Sequence, residues 1–111
     1  MAGMQHPPPD LIEAAINGDN AAREEFWRWL LDTIIQMVRV IARSLGINRQ
    51  EDLDDIVQQT IETILKMPPE KLTDVRNWKA WLWHIIRARC VDLIRRRARD
   101  RATISLHAPV G

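Results

Sequence analysis

Two residue sets in this chain carry chemistry, and one short stretch holds both. The segment NWKAWLWHIIRARCVDLIRRRARDR, residues 77–101, joins a front with three tryptophans to a back dominated by arginine, with no glycine or proline between them. Indole faces stack on bases, and guanidinium forks hold phosphates. Cations interleaved with aromatic rings are what a single-stranded nucleic acid requires.

The charge distribution sharpens this reading. Between Arg76 and Arg101 nine basic residues face two acidic ones, a net of +7, whereas the rest of the chain has seven basic against thirteen acidic, a net of −6. The overall charge of +1 therefore hides two poles. An acidic front and a basic tail call for one partner of each sign, with counterion release favouring a polyanion at the basic end.

Other chemistries find little support. His6, His84 and His107 lie far apart in the chain, with no ligand spacing, and no glycine-rich phosphate loop occurs. The adjacent acids Asp54 and Asp55 read as a solvated helix face. No metal, cofactor or enzymatic activity is expected. The single cysteine, Cys90, excludes an internal disulfide and fits a reducing, cytoplasmic setting. The sequence has neither a signal-peptide pattern nor an apolar run long enough to span a bilayer, so no membrane partner is expected.

At 111 residues and 46% hydrophobic content the chain fits one small domain. Four glycines and no sustained alternation argue for an all-α, compact bundle of about four helices. Residues 1–9, ending in three prolines, read as an extended, disordered arm. Asp10 is then a cap for a first helix, Leu11 to Ile16, which the cluster Asn17-Gly18-Asp19 ends. A second helix is expected over Ala21 to Leu45, with Phe26, Leu30, Ile34, Met37, Ile41 and Leu45 facing the core and Gly46 closing it.

A third helix starts near Gln50 and ends at Met67, before Pro68-Pro69. Its apolar stripe is Leu53, Ile56, Val57, Ile61, Ile64 and Leu65, and its outer face holds Asp54, Asp55, Gln58, Gln59 and Glu62. Residues 68–76 read as a loop, and Asn77 as the cap of the last helix. On that helix Trp78, Trp81, Leu82, Ile85, Ile86 and Leu93 share the core face, whereas Trp83, His84 and Arg87 fall outside it. The helical pattern dissolves after Arg101.

The third and fourth helices together resemble region two of bacterial RNA polymerase sigma factors, specifically the extracytoplasmic-function group. The residues that carry the likeness are LDDIVQQTIETILKM, with Asp55 and Gln58 in the matching places, and AWLWHIIRARCVDLIRRRAR, with Trp81, Leu82, Trp83, Asp92 and Arg95. The opening DLIEAAINGDNAAREEFWRWL also resembles the group's first two helices. One departure is Ala88, where many members carry Asn or His.

The resemblance implies a transcription initiation module over residues 10–101. It would bind the β′ subunit of the polymerase core, at the clamp helices, through Asp55, Gln58, Gln59 and Glu62. It would also recognise and melt the promoter −10 element on the non-template strand. Asn77, Lys79, Trp83, His84 and Arg87 would face DNA, Arg95, Arg96 and Arg97 would hold backbone phosphate, and the loop Leu72 to Asn77 beside Trp78 would take an extruded base. An anti-sigma factor is an expected further partner. Residues 102–111 would begin a linker to a −35-binding domain absent from this sequence. The rival reading of the same residues is a helical adaptor whose Trp-rich face binds a partner helix.

Overall fold

The structure, a computed structural model, describes residues 9–107 and the side chains of residues 10–101. It is all-α, with helices α1 (Pro9–Ile16), α2 (Asn20–Ser44), α3 (Gln50–Leu65), α4 (Pro69–Thr73) and α5 (Trp78–His107). Helix α2 packs against α1, α3 and α5, α3 also packs against α5, and α1 touches α4.

The helix ends follow local rules. Gly18 and Gly46 adopt φ of +96° and +83°, the left-handed conformation that lets a chain leave a helix cheaply. After α2 the amides of Gly46 and Ile47 donate to the carbonyls of Arg43 and Ala42, and Ile47 is buried beyond the turn, which makes a Schellman closure. Asp19 caps α2 by accepting from the Ala22 amide, and Asn77 caps α5 by accepting from the Ala80 amide, each at 3.1 Å.

Four expectations about the elements are corrected. The first helix begins at Pro9, so Asp10 lies in its first turn rather than capping it; proline is favoured there because its missing N–H would have no helical partner. The other eight residues of the expected arm lie outside the described residues. The same preference starts α4 at Pro69, inside the stretch expected to be loop. Helix α5 continues past Arg101 to His107, since residues 102–107 contain no breaker and extending a formed helix is inexpensive. The remainder of the expected linker, residues 108–111, lies outside the described residues. Finally, Leu65 leaves the core stripe and is 63% exposed, because the helix ends there and turns away.

The core joins Phe26, Leu30, Ile34, Val38 and Ile41 of α2 to Leu53, Ile56 and Ile64 of α3 and Trp78, Leu82, Ile86, Cys90 and Leu93 of α5. Val38 rather than Met37 is fully buried on α2. Trp78 is 1% exposed and meets Phe26, Trp29 and Trp81 edge-on, at centroid distances of 5.4, 5.9 and 5.2 Å. Such perpendicular arrangements place a positive ring edge on a negative ring face. Replacing Trp78 by Ala removes the hub of this cluster and should lower unfolding stability by about 3–5 kcal/mol. Urea denaturation checks this, with the half-exposed Trp83→Ala expected to cost about 1 kcal/mol or less.

Candidate nucleic-acid and protein interfaces

Helix α3 presents Asp54, Asp55, Gln58 and Glu62 to solvent. Gln58 donates to Glu62 at 3.4 Å and Gln50 to Asp54 at 2.8 Å, so this face is knit by pairs four residues apart. Exposed Leu65 extends the line of Asp55, Gln58 and Glu62 by one more turn and gives it an apolar end. Beside the face runs a groove of about 520 Å³ between α2 and α3, floored by Ile35, Val38, Leu53 and Ile61 and rimmed by Asp54, Gln58 and Glu62. Gln59 is set apart from its expected companions. Its side chain is half-buried and faces α5 instead.

On α5 the expected DNA-facing residues divide into two groups. Lys79, Trp83 and Arg87 recur every four residues and form one exposed stripe. The Arg87 guanidinium lies over the Trp83 ring at 5.7 Å, and the His84 ring stands perpendicular to it at 5.2 Å. A cation over an indole fixes the ring without covering both faces. Trp83 remains 43% exposed, a large aromatic surface held in place and open to a planar partner.

The second group lies on the other flank. A cleft of about 720 Å³ between α3 and α5 is lined by Arg89, Arg95, Arg96 and Arg99 with Asp92 and Gln59. Asp92 pairs with Arg89 at 3.5 Å, leaving an excess of positive charge. Thirteen positions separate Trp83 from Arg96, which at about 100° per residue is an offset of roughly 140° around the helix. The aromatic and arginine groups, contiguous in sequence, therefore occupy different sides of α5.

Arg97 departs from Arg95 and Arg96. It is only partly exposed, and its Nη2 donates to Oδ1 of Asp52 on the first turn of α3. Asp52 is 6% exposed, and its second carboxylate oxygen has no hydrogen-bond partner among the described residues. The three consecutive arginines span more than half of the circumference of a helix that packs along one side. Arg97 is the one that points in, and a buried carboxylate receives it.

A third concavity, of about 520 Å³, lies where α4 meets α5, lined by Met67, Lys71, Asp74, Val75, Arg76, Asn77 and Trp81. It occupies the place where a base pocket was expected, with a different wall. Trp78 is sealed in the core, and half-buried Trp81 forms the aromatic side. Arg76 belongs to the loop expected to form the pocket, whereas Lys71 escaped the sequence reading because the short helix α4 was not foreseen, and Trp81 was expected on the core face rather than in this wall. Arg89 escaped that reading because its convergence with Arg95, Arg96 and Arg99 depends on α3. Cys90 is wholly buried, and burial pushes its thiol above the ordinary value, which keeps it a neutral core residue. Among the described residues no helix is long and apolar enough to cross a membrane.

The sequence profile of the Sigma-70 region 2 family matches residues 30–100, from the middle of α2 to the last turns of α5. That span contains all the interface residues described above. No curated protein and no solved structure matches the chain.

The Asp52–Arg97 pair yields a direct stability expectation. Arg97→Met leaves a largely buried carboxylate without its cation and should cost about 2 kcal/mol, less than for a fully enclosed pair because Arg97 is partly solvated. Arg96→Met, at an exposed position, should change stability by under about 0.5 kcal/mol in the same thermal or urea denaturation experiment.

Proposed function

Since the chain belongs to the sigma-70 region 2 family, whose domains serve RNA polymerase binding and promoter −10 recognition rather than catalysis, we propose that it acts as an extracytoplasmic-function sigma factor module. The observation that carries this reading is the separation of charge between two helices on one core. The outer face of α3 is acidic and amide-rich, and the solvent side of α5 carries aromatic rings and cations.

Helix α3 is the polymerase-docking element in this proposal. Asp55, Gln58 and Glu62 meet the clamp helices of the β′ subunit, Leu65 supplies an apolar contact, and Gln59 joins from the edge. An apolar groove with a polar rim is the usual anatomy of a protein interface. The same surfaces offer an anti-sigma factor a way to block the module by occupying them.

DNA is read in two ways. Bases of the non-template −10 strand stack on Trp83 along the stripe Lys79–Trp83–Arg87, with His84 at its side. An extruded base enters the α4–α5 concavity against Trp81 and beside Asn77. Unstacking costs a few kcal/mol per step, so a preformed pocket offsets part of the cost of melting. Backbone phosphates are held by Arg95 and Arg96 in the α3–α5 cleft, with Arg97 serving mainly as an internal tie.

Titration of a labelled −10-type single strand at two salt concentrations tests the DNA reading, since affinity must fall as salt rises. Arg95→Ala with Arg96→Ala should weaken all sequences alike and reduce the salt slope by about one to two. Trp83→Ala should instead cost about 1–3 kcal/mol through lost stacking, with little change in slope. Salt-independent binding would overturn the reading.

For the docking face, Asp55→Ala with Gln58→Ala should weaken capture by polymerase core by more than about 1 kcal/mol while helicity stays unchanged. Undiminished capture in a pull-down would remove α3 from that role.

A further inference from the structure

Building on the phosphate-holding role proposed for the end of α5, we infer that Asp52 is a positioning residue for that role. Through Arg97 it holds the last turns of α5 on the body of the domain, and with them the arginines that meet phosphate.

Leu93 is the last buried apolar side chain among the described residues of α5. From Ile94 to Arg101 every side chain is exposed except that of Arg97. This stretch carries Arg95, Arg96, Arg97, Arg99 and Arg101 against Asp100 alone, so like charges repel within it and no hydrophobic burial holds it down. Its ion pair to the body is the bond from Arg97 to Asp52, two residues 45 positions apart in the chain.

Asp52 is well placed to keep this hold. It lies in the first turn of α3, where the positive end of the helix dipole favours a carboxylate. Its burial leaves little water to compete with the charge-assisted hydrogen bond. One helical turn further along α3 stands Asp55 of the docking face, so the pair also links the helix that meets polymerase to the helix that meets DNA.

The role makes an unusual sign prediction. Asp52→Asn raises the net charge of the domain by one, and charge alone would strengthen binding to a polyanion. If Asp52 acts by positioning, binding weakens instead, because the arginine end must be ordered anew at each encounter.

The test uses the full chain and labelled oligothymidylate as a probe of phosphate binding. Asp52→Asn is expected to lower affinity about fivefold, a coupling of ordinary size between charged residues in contact. Hydrogen exchange should accelerate at residues 94–101 and stay unchanged at 82–90. In an Arg97→Met background the Asp52 substitution should cause no further loss of affinity, since the two act as one unit.

Equal or tighter binding by a folded Asp52→Asn variant would overturn the inference while leaving the phosphate reading intact. If Arg95→Ala with Arg96→Ala fails to weaken binding, the phosphate reading falls and this inference falls with it. Should Asp52→Asn not fold, exchange in the unmodified chain decides the matter. Residues 94–101 must then be protected like a packed helix, and exchange at the rate of a frayed end would exclude any tether.

Discussion

The burial of Trp78 fixes the direction of α5, and most of the surface chemistry depends on that direction. Helix α5 is long and heavily charged, and the apolar spacing of its first half marks the side that rests on the body. Trp78, enclosed edge-on by Phe26, Trp29 and Trp81, sets the start. Leu82, Ile86, Cys90 and Leu93 continue the buried line through about four more turns. With the rotation settled, Trp83 has no choice but to face outward five residues after Trp78. Its exposure is thus a consequence of packing elsewhere, and Arg87 keeps the exposed ring ordered.

Beyond Leu93 the hydrophobic argument ends and an electrostatic one begins. An arginine block at the end of a helix would ordinarily be a solvated terminus, helped slightly by the helix dipole. Here one arginine turns inward to a buried carboxylate, and its neighbours line a cleft against α3. The arrangement gives a flexible class of side chain a fixed base. A buried pair of this kind adds little net stability compared with apolar packing, but it specifies geometry, and geometry is what the proposed phosphate-holding role needs.

The same core keeps the two proposed partner surfaces separate. Helix α3 has one side on the core, an acidic outer face and an edge toward α5, so a partner on its outer face does not cover the Trp83 stripe. In the proposed reading, separation would let a domain of this size engage a protein and a polyanion at once. The Gln59 side chain lies at the boundary, half-buried beside the arginine cleft while its neighbours Gln58 and Glu62 belong to the opposite groove.

What this sequence determined by itself was largely periodic and local. The apolar spacing of α2, α3 and α5, the caps at Asp19 and Asn77, the left-handed glycines after α1 and α2, and the division into acidic and basic parts all depend on near neighbours in the chain. The residues of α3 and α5 that resemble sigma factor region two are equally local, and the family match covers them. Tertiary structure alone decided the rest. Whether Arg97 joins Arg95 and Arg96 depends on Asp52, 45 positions away. Which tryptophan lines the α4–α5 concavity depends on a five-residue helix that two prolines start rather than prevent. That Gln59 is half-buried depends on where α5 crosses α3. The physical reason is common to all three: a side chain's neighbours across a packed interface are chosen by the rotation of whole helices, and that rotation is a property of the entire core.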